Sequence, residues 1–189
     1  MGTPGGPQLM QRLVEEHYIA LYRYAFRLSG SAADAEDLTQ EAFCKAQTKL
    51  GQLREPDRVK PWLFSILRNE YLHRVRAERH EKCVSLVGLG DLPERSPEPL
   101  PDIDPERLQR ALNELPEVFR TPIILYYFEE FSYRDIAEQM DLPIGTVMSR
   151  LARAKAYLRS RLSRPEVSVS PNGHSGGAKD GLQHRPSDA

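Results

Sequence analysis

The chain has 189 residues, of which 40% are hydrophobic and 28% are charged, and its formal net charge is −1. This length suits one ordinary domain or two small ones, and the composition is typical of a folded protein with a helix-rich surface. No apolar run reaches the roughly 18–20 residues that cross a bilayer, and the first residues lack the basic segment and apolar core of a secretory signal. Two cysteines, Cys44 and Cys83, are too few for a disulfide framework. We therefore expect a cytoplasmic protein without membrane insertion.

The first 82 residues show helical periodicity. Apolar residues at three- and four-residue steps predict a first helix over residues 13–28. Ser31, with Asp34 three residues later, predicts a capping box at the start of a second helix. Cys44 falls on the apolar stripe of that second helix, and we expect it in the core.

A polar loop over residues 51–60 separates the second helix from a third one. Pro61 predicts the start of the third helix, because proline suits a first helical turn. Three helices of this length can enclose one core. The positions of the third helix that we expect to be buried are Leu63, Ile66, Leu67, Leu72 and Val75.

Two segments differ in composition from the periodic parts of the chain. Residues 83–105 hold five prolines, and from Asp91 to Glu106 there are six acidic residues and one basic residue. This composition predicts an extended, acidic, semi-stiff linker. Residues 164–189 are too poor in apolar side chains to offset the entropy of ordering, so we predict a disordered tail.

Helical periodicity returns over residues 106–163, with a break at Pro116 and with Tyr127 on the apolar side of the helix that follows. Ser132 with Asp135 predicts a capping box at the start of a short helix, and Asp141 is expected to adopt the left-handed backbone of the turn that ends it. The next helix is expected to bury Val147, Leu151, Ala154 and Leu158. Two helices joined by such a turn, the second of them basic, predict a helix-turn-helix.

The second helix of this pair carries a strongly one-sided charge. From Ile144 to Arg164 there are six basic residues and no acidic residue. This segregation predicts a polyanionic partner, while the alternative is an ordinary helical hairpin with a solvated basic face. In the DNA-binding interpretation the leading end meets base edges and nearby phosphates, through Thr146, Met148, Ser149, Arg150 and Arg153. Phosphate contacts without sequence preference are expected farther along, from Lys155, Arg159 and Arg161.

Three segments in order resemble sigma factors of the extracytoplasmic-function (ECF) group: DAEDLTQEAF at 34–43, PWLFSILRNEYLHRVR at 61–76, and the paired helices at 132–162. The resemblance covers roughly residues 10–162. It implies an all-α protein with a three-helix domain over 8–82, the linker, and a helix-turn-helix domain over 106–163. It also implies that the partners are core RNA polymerase, promoter DNA in duplex and melted form, and an anti-sigma factor.

The resemblance assigns the segment 34–43 to the polymerase. In such factors this segment docks on a coiled coil of the largest polymerase subunit, and an acidic face matches a basic clamp electrostatically. Without the resemblance, these residues are read as a solvated acidic helix start. The implied polymerase-binding residues are Asp34, Asp37, Gln40, Glu41 and Phe43.

The resemblance assigns the loop 51–60 and the third helix to the −10 promoter element, with the helix-turn-helix reading the −35 element. An aromatic ring and an amide beside basic side chains suit stacking and backbone neutralisation on single-stranded DNA. For Trp62 alone, core packing is the alternative. The implied −10 residues are Arg58, Lys60, Trp62, Arg68, Asn69, Arg74 and Arg76.

The chain departs from the family pattern at three positions. His73 stands where many relatives have an aspartate, Gln47 where an aromatic residue is usual, and Met148 where a basic residue is common. The departure at His73 bears on the local hydrogen bonds of the third helix, the one at Gln47 on a polymerase-facing or core contact, and the one at Met148 on a contact to the −35 element.

Two short motifs contain residue types that bind metals. His80-x-x-Cys83 supplies two zinc ligand types without a second pair, and Glu70-x-x-His73 is half of a di-iron motif. We therefore expect no metal, no cofactor and no catalytic residue. The alternatives are an autonomous helix-turn-helix regulator and a helical-bundle metal hydrolase or oxidase.

Overall fold

The computed structural model describes residues 6–53, 55–79 and 103–163. The predicted tail, nearly all of the predicted linker and His80-x-x-Cys83 lie outside these residues. The regular secondary structure of these residues is helical, and none of it is a strand. This confirms the all-α prediction. The α-helices are α1 (Gly6–Ser29), α2 (Ala32–Lys49), α3 (Val59–Arg79), α4 (Pro105–Glu114), α5 (Glu117–Tyr127), α6 (Tyr133–Met140) and α7 (Ile144–Leu162).

The first unit consists of α1 to α3. Gly30 ends α1 with a φ of 74°, a left-handed conformation that glycine adopts without steric cost. The Ser31 hydroxyl accepts from the Asp34 N–H at 3.3 Å and begins α2. The Ser31 N–H itself donates to the Ser29 hydroxyl, so only half of the predicted capping box forms.

Two details of the first unit correct the sequence predictions. Helix α3 begins at Val59, two residues before Pro61, after two short 3-10 turns. Pro61 is still in the first turn, where the missing N–H has no partner in the helix. Cys44 is exposed and outside the core, because it lies about 100° around α2 from the buried Phe43.

The second unit consists of α4 to α7. Asp104 caps α4, and its carboxylate accepts from the Glu106 N–H at 3.2 Å. Both halves of the predicted capping box at Ser132 are present, and Asp141 has a φ of 53° at the turn, as predicted. Tyr127 is 50% exposed, contrary to prediction, because it is the last residue of α5 and lies beyond the edge of the core.

The two units are in direct contact. Helix α1 packs against α4 and α5, and α3 contacts α6. The ring of Phe64 in the first unit lies 5.2 Å from that of Phe131 in the second, and the buried side chains of both units form one continuous cluster. In the described ranges, the helices are too short or too polar to cross a membrane.

Candidate functional site

The predicted polymerase-binding residues share the outer face of α2, except for one. Asp34, Asp37 and Gln40 are exposed, and Glu41 is half-buried. Phe43 lies beneath this face, 8% exposed, with its ring stacked on Tyr18 at 6.3 Å. The arrangement presents an acidic, polar surface with an aromatic side chain packed behind it.

Ion pairs connect this face of α2 to α3. Arg74 contacts the Glu41 carboxylate at 3.1 Å and that of Asp37 at 3.8 Å. Lys45 contacts Glu41 at 3.5 Å and pairs with the buried Glu70. The hydrogen bond from Arg74 lowers the pKa of Glu41, and the hydrogen bond to Glu70 raises the pKa of Lys45.

These pairs place one predicted −10 residue, Arg74, against two predicted polymerase residues. Sequence reasoning did not identify Lys45 or Glu70 as part of this network. The one signal available was the spacing of Glu41 and Lys45, which is four residues and therefore favours a pair on one helix face.

The predicted −10 residues on α3 include a stripe along its exposed side. Trp62, Asn69 and Arg76 lie seven residues apart, which places them on one side of the helix. His73 extends the stripe. Trp62 is half-buried and packs against the core with part of its ring, whereas Asn69, His73 and Arg76 are exposed. The stripe thus offers a ring edge, an amide and a cation in a row.

The remaining predicted −10 residues face the second unit. The Arg58 guanidinium lies 2.5 Å from the Glu138 carboxylate and 3.8 Å from that of Asp135. The Lys60 ammonium donates to the backbone carbonyl of Glu129 at 2.6 Å. These two side chains are therefore engaged by protein groups.

Arg68 is engaged in the same way and is more deeply buried. One of its terminal nitrogens lies 3.5 Å from the Glu117 carboxylate, and the other donates to the backbone carbonyl of Gln139 at 3.4 Å. The acidic partners lie 49 to 80 residues away in the chain. No local pattern in the sequence indicated these pairs.

The helix-turn-helix is formed by α6 and α7. Ala137 and Val147 are buried between the helices, and the Leu142 N–H donates to the Ala137 carbonyl at 2.9 Å across the turn. Every charged residue of α7 is basic. Met148, Ser149, Arg153 and Lys155 are exposed, while Thr146, Arg150 and Arg159 are partly exposed.

Two features of α7 were not predicted. Ile144, 48% exposed, joins Met148, 51% exposed, to form an apolar pair one helical turn apart at the leading end. Arg161, predicted to contact phosphates, instead lies with its Nε 2.6 Å from the Glu114 carboxylate. This pair lowers the pKa of Glu114 and raises that of Arg161.

Comparisons with known proteins cover both units. The family model for Sigma-70 region 2 matches residues 13–81, and the model for Sigma-70, region 4, matches residues 106–158. The ECF RNA polymerase sigma factor SigL of Mycobacterium tuberculosis is 35% identical over 162 residues, which cover 82% of this chain and 89% of SigL.

Further relatives agree with these matches. The ECF RNA polymerase sigma factor SigE of Mycolicibacterium smegmatis is 36% identical over 157 residues, which cover 80% of this chain and 61% of SigE. A solved structure of the sigma factor RpoE of Bartonella quintana, in complex with the anti-sigma factor NepR, superposes with a TM-score of 0.67 at 31% identity. That match covers 80% of this chain and 95% of RpoE.

The two regions occur in family order, each on the unit where the sequence motifs placed it. The helix-turn-helix coincides with region 4, and the acidic α2 and basic α3 lie within region 2. The chain therefore belongs to the extracytoplasmic-function group of RNA polymerase sigma factors, and it directs promoter-specific transcription initiation.

Proposed function

We propose that the first unit reads the −10 element and that the second unit reads the −35 element of the promoters that this chain selects. The domains are residues 8–82 and 106–163, with a linker over 83–105 and a tail over 164–189. The polymerase performs the chemistry, so the proposal assigns no catalytic step, cofactor or metal to this chain. The proposed location is the cytoplasm, where the polymerase acts.

The observation that supports this proposal most strongly is the position, charge and exposure of α7. It is the second helix of a helix-turn-helix, its charged residues are all basic, and its leading end is exposed. A helix of this kind fits the major groove, where side chains at the leading end reach base edges. Cations farther along the helix then add affinity through phosphates, without selecting a sequence.

The −10 element is proposed to be opened and held by α3. The stripe of Trp62, Asn69 and Arg76 combines stacking, hydrogen bonding and charge, which are the interactions that bind single-stranded DNA. Capture of an unstacked base requires an accessible amide, and Asn69 is exposed.

The polymerase is proposed to bind the outer face of α2, through Asp34, Asp37, Gln40 and Glu41, with Phe43 supporting the face from within. An anti-sigma factor is a further proposed partner, since the similar RpoE structure contains one. Such a partner would compete for the same surfaces.

The experiment that tests the proposal is run-off transcription with core polymerase on the DNA upstream of this gene, with and without the chain. We expect a discrete transcript only when the chain is present. Asn69→Ala should reduce permanganate reactivity of thymines near the start site, while a premelted bubble should restore part of any melting defect. Gln8→Ala, which removes an exposed amide from α1, is the matched control.

No transcript above the background of core polymerase would contradict the proposed function. If Asn69→Ala opened promoters at the wild-type rate, the proposed role of this amide would be wrong. The assignment of the first unit to the −10 element would then be tested by substituting Trp62 and Arg76.

A further inference from the structure

The apolar pair of Ile144 and Met148 lies at the leading end of α7, the helix proposed to enter the major groove. The two large hydrophobic side chains are 48% and 51% exposed, so about half of each lies outside the core. They are four residues apart and therefore share one side of the helix. Ala152, which is also exposed, continues this side by one more turn. The pair thus begins an apolar strip on a helix whose charged residues are all basic.

The leading end of α7 lacks the side chains that read bases through paired hydrogen bonds. From Ile144 to Ser149 no side chain carries an N–H group, so none of them can make the bidentate contacts by which arginine reads guanine and asparagine reads adenine. The Ser149 hydroxyl already donates to the Thr146 carbonyl at 2.9 Å. Base reading at this end of the helix therefore depends more on apolar contact than on hydrogen-bond donors.

The major groove offers one apolar group to such a surface, which is the 5-methyl group of thymine. The other three bases present hydrogen-bond donors and acceptors there but no methyl group. Contact between this methyl group and a hydrophobic side chain removes apolar surface of both from water. A methionine is unbranched and flexible, so Met148 can adapt its shape to the floor of the groove. An exposed apolar pair at this place therefore favours thymine.

We propose that Ile144 and Met148 select thymines in the −35 element by apolar contact with their 5-methyl groups. This inference rests on the proposed function, because it assumes that α7 enters the major groove of that element. The rise between the two residues is about 6 Å, which is roughly two base-pair steps of about 3.4 Å. The selected thymines are therefore expected within two or three neighbouring base pairs.

The preferred sequence is measured by selection from a pool of promoter duplexes in which only the −35 element is randomised. The pool is derived from the DNA upstream of this gene and is bound by the full chain assembled with core polymerase. We expect the parent chain to enrich thymine in neighbouring base pairs. Met148→Arg should change one of these positions from thymine to guanine, with a preference of about tenfold, because an arginine fork matches the guanine edge.

The matched control for the added charge is Ser160→Arg. Ser160 is an exposed residue of the same helix and lies roughly 18 Å along its axis from Met148. This variant should leave the preferred sequence unchanged, because its new cation is too far from the bases that Met148 contacts. Circular dichroism confirms that the variants remain helical.

The methyl groups are tested by replacing each thymine of the enriched element with uracil, which differs from thymine only in lacking the 5-methyl group. Loss of a contacted methyl group should weaken binding of the parent complex by about fourfold, the factor that corresponds to burial of one such group. In Met148→Ala the replacement of its thymine should cost at most about twofold, because the partner of the methyl group is gone. Ile144→Ala should have the same effect on the other thymine.

An enriched element in which every uracil replacement is silent would overturn this inference and leave the proposed function intact. So would a thymine preference that Met148→Arg does not change. If Met148→Ala weakened binding to core polymerase but left the enriched sequence unchanged, the pair would contact protein instead, and the inference would also be wrong. A pool in which the parent complex enriches no −35 sequence would contradict the proposed function itself, and this inference with it.

Discussion

Arginines on α7 have different surroundings although they share one helix. Arg150 and Arg153 lie toward its leading end, where the base-reading positions are proposed. Arg161 lies in the last turn and is paired with Glu114. The position of each arginine therefore predicts how much it contributes to DNA binding.

Arg150→Ala and Arg153→Ala should each weaken binding to a duplex that contains the −35 element, by about 1–3 kcal/mol for a bidentate contact to a base. Lys155→Ala should have a smaller effect that is independent of sequence and flattens the salt dependence. The measurement is a fluorescence-anisotropy titration at two salt concentrations. Arg161→Ala is the control on the same helix, and an equally large loss there would contradict the assignment.

At this scale the sequence predicted the charge of α7 but not which basic side chains already have partners. The type of each residue and the charges of its neighbours can be read directly from the sequence, so the absence of acidic residues from α7 was evident. The contacts of Arg58 and Arg68 depend on how two units pack, and their acidic partners are up to 80 residues away. Nothing in the neighbourhood of these arginines indicated such pairs.

The short helix α6 depends on its cap more than the longer helices do. It has eight residues, and an isolated helix of that length is marginal in water. The Ser132 hydroxyl accepts from the Asp135 N–H at 3.2 Å, while the Ser132 N–H donates to the Asp135 carboxylate at 3.2 Å. This reciprocal pair fixes the start of the helix-turn-helix.

Ser132→Ala should lower the free energy of unfolding by about 1 kcal/mol, the usual contribution of an N-cap side chain. Urea unfolding followed by circular dichroism measures the change. Ser163→Ala, at an exposed position after α7, serves as the control and should change the stability little. A Ser132→Ala variant as stable as this control would show that packing alone holds α6 in place.

The order and type of the helices could be predicted because caps, prolines and apolar spacing act over one or two turns. The wrong predictions concern the burial of side chains, which depends on tertiary packing. Cys44 was predicted to be buried and is exposed, since the stripe of α2 turns away from it. Tyr127 follows the apolar spacing of α5, but it lies beyond the last residue of this helix that the core buries.

The two units of the molecule bury the carboxylate of Glu129 between them. Glu129 is 6% exposed, and burial raises its pKa from an ordinary value of 4.5 to about 7, although Lys60, Arg27 and Arg23 oppose the shift and Glu130 adds to it. The folded state therefore binds this proton more tightly than the unfolded state. The contribution of Glu129 to stability is greatest below pH 4.5 and is lost as the pH rises through about 7.

Glu129→Gln should remove this pH dependence. The difference in free energy of unfolding between the variant and the parent should grow in favour of the variant from about pH 4.5 to pH 7, and then level off. Urea unfolding at a series of pH values measures it, with the exposed Glu106→Gln as control. A difference that stays constant over this range would contradict the assignment of the raised pKa.

The end of α1 is completed by the other unit, and this joins the two units thermodynamically. Arg120 donates to the Leu28 carbonyl at 2.6 Å, and Gln109 donates to the Arg27 carbonyl at 3.2 Å. The last carbonyls of a helix have no partner inside it, so the second unit supplies what the first lacks. Melting of either unit removes contacts from the other. Heating should therefore produce one cooperative transition, whereas units without mutual contacts would each melt at their own temperature.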